Sequence, residues 1–276
     1  MSLLKKIIIL LFFLFLFTDV SPKHNIEKYN FSFVSNKNLV VGEKLSYVVK
    51  YAFFVLGQVT LEVTGKKELN NHTTYNTVAY IDSYENIPFV DIHQIYKSIV
   101  TDKYYSDYFE GIVKTDDYDT FTDYYFRYDS SKIHVIKGKI SPKQLWTDST
   151  TSIESNKRYQ DGLSLFYFAR MNSGQNKSEE IPGFVDEKKV STKINFFDKV
   201  EDISIDAIDY PVACVKVDGQ LDFVSIYGLT GYYEGWFTND EAAIPILAKM
   251  QVMVGNITLE LREWNREGWT PPEYKE

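Results

Sequence analysis

A chain of 276 residues with a hydrophobic share of 44% and a charged share of 25% has the composition of a globular protein and room for one large β domain or two small ones. Its formal net charge of −8 argues against nucleic acid, which needs a concentrated basic face, and against simple electrostatic docking on anionic lipid. The single cysteine, Cys214, rules out an intramolecular disulfide, so the core must hold the fold unaided.

The first residues read as a leader. Lys5 and Lys6 precede an apolar run at 7–17, too short to cross a bilayer at about 1.5 Å per residue. The pattern predicts a secretory signal peptide over 1–21, or an unusually short anchor, with a weakly specified cleavage region at Thr18-Asp19-Val20-Ser21. No later segment has the length and apolarity of a span, so no transmembrane span is expected in the mature chain. These features predict an exported protein of the periplasm or cell envelope, opening with an extended segment over 22–41.

From Gly42 a single mainly-β domain is predicted over 42–264. Leu45, Tyr47, Val49 and Tyr51 alternate with mostly polar residues, as do Val59, Leu61 and Val63, which gives two half-buried strands. The apolar connection at 52–56 either bends one long strand at a Gly57 bulge or is buried or lipid-facing, and the bend is the preferred reading. Tyr75, Thr77, Ala79 and Ile81 mark a third strand. Over 86–102, Ile92, Ile95, Tyr96, Ile99 and Val100 have helical spacing, yet β-branched residues crowd the second half. A short turn or helix at 88–94 followed by a strand is expected. Further strands are predicted at 105–114, 120–128 and 132–137, with a turn at Asp129-Ser130-Ser131.

The best helix is 161–172, DGLSLFYFARMN. Asp161 can cap it, apolar residues occupy nearly every face, and Arg170 suits the C-terminal end of the helix dipole. Its flanks, 147–157 and 172–180, read as loops. Strands resume at 188–196, 203–205 and 211–217, the last with Cys214 as a small buried hydrophobe.

The strongest fold signal lies at 224–261, read as three consecutive antiparallel strands. A polar turn at Thr238-Asn239-Asp240-Glu241 separates the first two, and Gly255-Asn256 is a two-residue hairpin turn between the others. That turn pairs Val254 with Ile257, Val252 with Leu259 and Met250 with Leu261, so the hairpin has one dry side. The tail over 265–276 is extended, since Pro271 and Pro272 oppose a helix.

Chemistry is less legible. His24, His72, His93 and His134 are dispersed without metal-ligand spacing, so neither a metal nor a cofactor is expected. No G-x-S-x-G elbow occurs, and no helix follows Gly228, Gly231 and Gly235 to make a phosphate loop. The 21 Tyr and 19 Phe fit a β-rich core or, more sharply, an aromatic-lined ligand groove. Phe53, Phe54, Tyr167, Arg170, Tyr233 and Trp236 are the candidate ligand-binding residues. Glu234, Asp240 and Glu241, near Tyr232, Tyr233 and Trp236, leave a carbohydrate-active enzyme as a third reading.

Three stretches carry a family resemblance. They are Gly42-Glu43-x-Leu45-x-Tyr47 with Gly57 opening the next strand; the helix pattern Asp161, Ser164, Tyr167, Arg170; and Gly235-Trp236-Phe237-Thr238-Asn239-Asp240 running into Ile244-Pro245-Ile246, Gly255-Asn256-Ile257 and Glu260-Leu261. The chain resembles the bacterial exported proteins grouped as domain of unknown function 3108. The resemblance implies a periplasmic or envelope protein, mostly antiparallel β, with no assigned activity and so no catalytic residues to carry over. A further likeness in shape, to the open β-barrels that carry lipoproteins and lipids across the periplasm, is analogy of fold alone.

The expected fold class is therefore mainly β, a strongly curved antiparallel sheet or unclosed β-barrel with one or two short helices, the 161–172 helix covering its concave face. The expected function is that of a non-catalytic exported protein binding a lipid-like or other amphiphilic ligand in an aromatic-lined groove. The alternative is a structural or assembly module that engages an envelope protein through its sheet edges or the 269–274 tail.

Overall fold

The computed structural model describes residues 37–69, 72–85, 87, 91–221, 223, 229–252 and 255–275. The leader at 1–21, most of the 22–41 segment and part of the 88–94 stretch lie outside the described residues. The first eight strands are β1 (Lys44–Tyr51), β2 (Phe54–Leu69), β3 (His72–Ser83), β4 (His93–Thr101), β5 (Ser106–Val113), β6 (Thr120–Arg127), β7 (Lys132–Lys139) and β8 (Gln144–Ser152). One helix, α1 (Gly162–Asn172), follows, then β9 (Lys177–Val185), β10 (Lys188–Ile203), β11 (Val212–Leu221), β12 (Leu229–Thr238), β13 (Pro245–Val252) and β14 (Asn256–Asn265).

All fourteen strands form one antiparallel sheet in the order β8-β7-β6-β5-β4-β3-β2-β1-β14-β13-β12-β11-β10-β9. Two meanders thus meet where the first strand pairs with the last, from Lys44↔Asn265 to Tyr51↔Ile257. The edges β8 and β9 are not hydrogen-bonded to each other, so the barrel is unclosed. Residues 159–160 bridge part of the gap. Ser106 at the start of β5 donates its backbone N–H to Tyr159 O at 3.1 Å, while Gln160 pairs in parallel with Gly183 of β9.

Helix α1 lies on the concave face, which explains a sequence apolar all round. Leu163, Tyr167 and Met171 join the main core, which draws on both meanders, from Leu45, Phe109 and Ile133 to Phe184, Ile246 and Leu261, whereas Leu165, Phe168 and Ala169 pack on Ile181, Ile194, Phe196, Val215, Val217 and Phe237. Asp161 caps the helix from a fully buried position: one oxygen accepts from the N–H groups of Leu163 and Ser164, at 2.7 and 2.8 Å. The other accepts from the hydroxyls of Ser98 and Ser106, each at 2.6 Å. One carboxylate thereby satisfies the helix start and ties it to β4 and β5.

Several elements depart from the sequence reading. The strand expected after the 88–94 stretch is present as β4, starting at His93 and so within the expected turn or helix; it pairs with β3 and β5, and its residues alternate between buried and less buried sides of a ladder. The predicted loop at 147–157 holds most of β8, a polar edge strand exposed along nearly its whole length and so without a two-residue periodicity to detect. Most of the 172–180 loop is occupied by the end of α1 and the start of β9. The connection at 52–56 is no bend: Tyr51 pairs with Phe54 across a two-residue turn, and the register shifts beside Gly57.

The β13–β14 hairpin keeps its dry side but not its predicted register. Met250 faces Ile257 and Ala248 faces Leu259, four residues away from the expected Met250–Leu261 pairing. Val252 donates to Gly255 O at 3.1 Å, so the chain reverses two residues before Gly255-Asn256, and Gly255 takes φ 79. A slip of even size leaves the inward set unchanged. The 269–274 tail is held by its own sheet: Ala213 donates to Pro272 O at 2.9 Å, and Tyr274 to Pro211 O at 2.8 Å.

Replacing Asp161 by Ala strands four donors at once, two of them buried hydroxyls on other strands. Urea unfolding of Asp161→Ala is expected to show a loss of about 2–4 kcal/mol, more than the ~1 kcal/mol of a surface cap.

Candidate functional site

The inward face of β1 carries Tyr47, Val49 and Tyr51. Their cross-strand mates Val59, Leu261, Leu259 and Ile257 lie on the same side, since paired residues share a face. Toward the Lys44 end this face is filled, with Leu45, Leu61, Val63 and Leu261 buried. Toward the Tyr51 end it is not, and a cavity of about 500 Å³ opens there. The cause is length: an eleven-residue helix reaches about 16 Å and cannot roof the whole concave face.

The walls are mainly aliphatic. Val49, Leu56, Leu247, Met250, Ile257 and Leu259 line them, with Tyr47, Tyr51 and Phe166 of α1 as the aromatic contribution. This corrects the expectation of an aromatic-lined groove; among the described residues most Tyr and Phe side chains instead pack in the core and along the β4–β6 ladder, as in the Tyr96–Phe109–Tyr124 row. A second cavity of about 150 Å³ continues beneath α1 toward β9–β12 and shares Phe166, Leu247, Ala248 and Met250 with the first.

Polar groups gather on one wall, where Gln58, Asp82, Ser83 and Gln94 meet the cavity. Gly57 lets β2 close on β3 there: a Cβ at that position would lie 2.2 Å from Asp82 O. His93 Nδ1 stands 2.9 Å from Asp82 Oδ1, and its Nε2 lies 3.3 Å from Asp91 Oδ1. The hydrogen bond to Asp82, with the charges of both carboxylates, raises the His93 pKa and favours the imidazolium. The rim thus sets the His93 imidazole between the carboxylates of Asp82 and Asp91, beside an apolar hollow. Among the described residues, no three His, Cys, Asp or Glu side chains come together as metal ligands.

The six candidate ligand-binding residues are not brought together. Phe53 and Phe54 project from the β1–β2 turn, 84% and 57% exposed, outside the cavity. Tyr233 lines the smaller cavity. Trp236 is on the opposite face of β12, its Nε1 donating to Glu201 at 2.8 Å, with the Lys216 and Lys249 ammonium groups 5.6 and 5.1 Å from its ring. Tyr167 and Arg170 are buried on α1. Arg170 forms a bidentate pair with Glu43, at 2.5 and 2.8 Å, and donates to the carbonyls of Ala242 and Ala243. It stands in the last turn of α1, where a cation suits the helix dipole, but its guanidinium is buried and turned to Glu43 and these carbonyls.

Two of the three carboxylates considered for sugar chemistry have structural partners, and the third, Glu241, is exposed. Both oxygens of Asp240 are engaged, one by Thr238 Oγ1 and the Ala243 N–H, the other by Trp269 Nε1 at 2.8 Å. Glu234 is paired with Lys216 at 2.7 Å. The cavity-lining aliphatics were missed as site residues, although the dry side of the last hairpin, with Met250, Ile257 and Leu259, was readable in sequence.

Residues 46–262 match the family model described as protein of unknown function, DUF3108. The chain belongs to the DUF3108 family. No curated protein matches the sequence. Two solved structures align with most of the chain at low identity. A β-barrel-like protein of domain of unknown function DUF1849 from Brucella abortus is 14% identical, with 82% of this chain and 98% of that one covered and a TM-score of 0.45. A protein from Bacteroides fragilis, described as exported with a YmcC-like fold, is 8% identical, with 83% and 98% covered and a TM-score of 0.35.

The stretches that carried the resemblance to DUF3108 converge in space on one buried network. Glu43 from the first meets Arg170 from the second, Arg170 meets the carbonyls after Asp240 in the third, and Tyr47 OH donates to Pro245 O at 3.0 Å. Arg266 adds a second cation on Glu43. Burial alone would push the Glu43 carboxyl up, but the Arg170 charge, with hydrogen bonds from both arginines, holds it below the usual carboxylate value. Of the residues in these stretches, Tyr47, Gly57, Pro245 and Ile257 line the cavity, while Glu43 and Arg170 organise the fold around it without lining it.

Glu43→Ala leaves the Arg170 guanidinium buried and unpaired, and is expected to lower stability by about 3–5 kcal/mol in urea. Lys137→Ala, which breaks the part-exposed pair with Glu187 at 3.0 Å, should cost under about 1 kcal/mol.

A carboxyl whose folded pKa is depressed contributes stability above its unfolded value, about 4.3, and loses it as pH falls through the folded value. The urea midpoint of the wild type should therefore fall with pH below about 4.3, and Glu43→Gln should flatten that part of the profile.

Proposed function

We propose that this protein is a non-catalytic binder of a lipid-like amphiphile, acting in the exported compartment to which its leader directs it. The observation that carries the reading is the aliphatic cavity of about 500 Å³ between sheet and helix. Its volume falls within the range of small-molecule sites, and an apolar wall with a few convergent polar groups is the usual make-up of such a site. The apolar chain of the ligand lies against Val49, Leu247, Met250 and Leu259, and its polar head meets the Asp82–His93–Asp91 rim. Burial of a dozen methylenes would yield on the order of 10 kcal/mol before ordering costs, enough for stable binding without a covalent bond. The Lys5-Lys6 pair and the apolar run at 7–17 support export.

A second reading, a module that binds a protein partner, has one observation in its favour. Edge strand β8 exposes an unpaired ladder side, with Leu145 and Trp146 53% and 45% exposed, and such an edge can accept an added strand. The tail version of that reading is disfavoured, because the tail is occupied by the protein's own β11.

Native mass spectrometry of the full chain, isolated without detergent from its own envelope, should show a discrete added mass in the range of a lipid, lost on denaturation. A clean apo mass would shift weight to the β8 reading. Ala248→Phe, which fills space shared by the two cavities, should stabilise the apo protein by about 0.5–2 kcal/mol. The same variant should abolish binding of the fluorescent probe 1-N-phenylnaphthylamine.

A further inference from the structure

The β1–β2 turn is built against the ordinary rules for turns. Ala52 holds φ 52, a conformation that two-residue hairpins normally give to Gly, Asn or Asp. The residues that follow it are Phe53, Phe54 and Val55, and all three are exposed, Phe53 more than any other large hydrophobic side chain among the described residues. The two rings pack on each other, centroids 4.2 Å apart, and project from the sheet. Neither backbone strain nor solvent favours this sequence at a tip, so folding stability does not account for it.

The tip is continuous with the cavity mouth. Tyr51 and Leu56, which flank it, line the cavity. Tyr84, whose N–H donates to Leu56 O at 2.9 Å, and Ile92, itself a lining residue, are 38% and 39% exposed beside it. One apolar surface therefore runs from the projecting rings, over Tyr84 and Ile92, into the hollow.

The geometry points to this tip as a membrane-contacting wedge, through which the ligand enters the cavity directly from an uncharged lipid surface. The inference rests on the amphiphile-binding reading and adds the partner from which the ligand is drawn. A bilayer fits better than a protein: two rings on a two-residue turn are too small for a stable protein interface, yet aromatic side chains partition into the headgroup region. The surrounding charge selects the lipid. Asp82, Asp91, Asp206 and Glu260 outnumber Lys50, His93 and Lys114 around the tip, and Lys50 is already paired with Asp206 and Glu260 at 2.9 and 3.0 Å. An acidic collar repels an anionic surface and tolerates a zwitterionic one. Two inserted rings give weak, reversible attachment, as a carrier that must leave with its ligand requires.

The test places a polarity-sensitive dye beside the wedge. Cys214 is fully buried and its thiol is pushed up by burial, so Val55→Cys gives one reactive site and keeps both rings, while Ser149→Cys on β8 serves as the distant control. With phosphatidylcholine vesicles, the dye at 55 should shift to the blue and the dye at 149 should not. Equal shifts at both sites, or none at 55, overturn the proposal. Phe53→Ser/Phe54→Ser should slow transfer of 1-N-phenylnaphthylamine from vesicles to the protein at least tenfold while leaving its equilibrium binding from water unchanged. An unchanged transfer rate also overturns it. Failure of the wild type to bind the probe from water sinks the amphiphile reading instead, and with it this entry route.

Discussion

A bidentate ion pair between Glu43 and Arg170, both almost wholly buried, is the constraint on which the rest of the structure depends. Apolar contacts tolerate sliding, because one aliphatic neighbour serves about as well as another. A guanidinium removed from water does not: it needs its carboxylate and carbonyl acceptors at hydrogen-bonding distance in one orientation. Here those acceptors come from the start of β1 and from the turn between β12 and β13. The pair can therefore form only when the central strands, the helix and that turn are all in place.

The helix is pinned at both ends. Arg170 anchors its last turn, and Asp161 ties its first turn to β4 and β5 through two serine hydroxyls. Phe166 sits between the anchors, on the wall common to both cavities. A helix free to tilt would collapse onto the unfilled face and recover the lost contact energy. Held by charge at one end and a buried cap at the other, it keeps the hollow open, and the volume is present before any ligand arrives.

Much of the fold was legible in the sequence, for physical reasons that also mark the limits. Leu45, Tyr47, Val49 and Tyr51 announce β1 because one side of that strand is dry, and Asp161 announces α1 because its carboxylate has helical N–H groups to satisfy. Strand β8 leaves no such trace, since it is wet on both faces. Over 92–100 the two periodicities compete, and the neighbouring strands decide. The last hairpin was placed on the correct face and in the wrong register, because the alternation of apolar residues fixes parity more firmly than a turn signal fixes where the chain reverses. Arg170 read as a dipole cation because its partner lies 127 residues away. The cavity was the least legible feature: a dry face packed by neighbours and a dry face left open have the same local sequence, and only the reach of α1 tells them apart.

The pairing of β1 with β14 sets an order on assembly. Strand β1 sits in mid-sheet, yet one of its two ladder partners, β14, is the strand farthest from it along the described chain. Every N-terminal portion of the chain shorter than about this length keeps an unpaired β1 edge and an Arg170 without the carbonyls of Ala242 and Ala243. The two meanders can each zip locally, but the seam between them closes only when residue 265 is available. Such a chain stays open along its midline during synthesis, and its sheet becomes continuous only once residue 265 has been made.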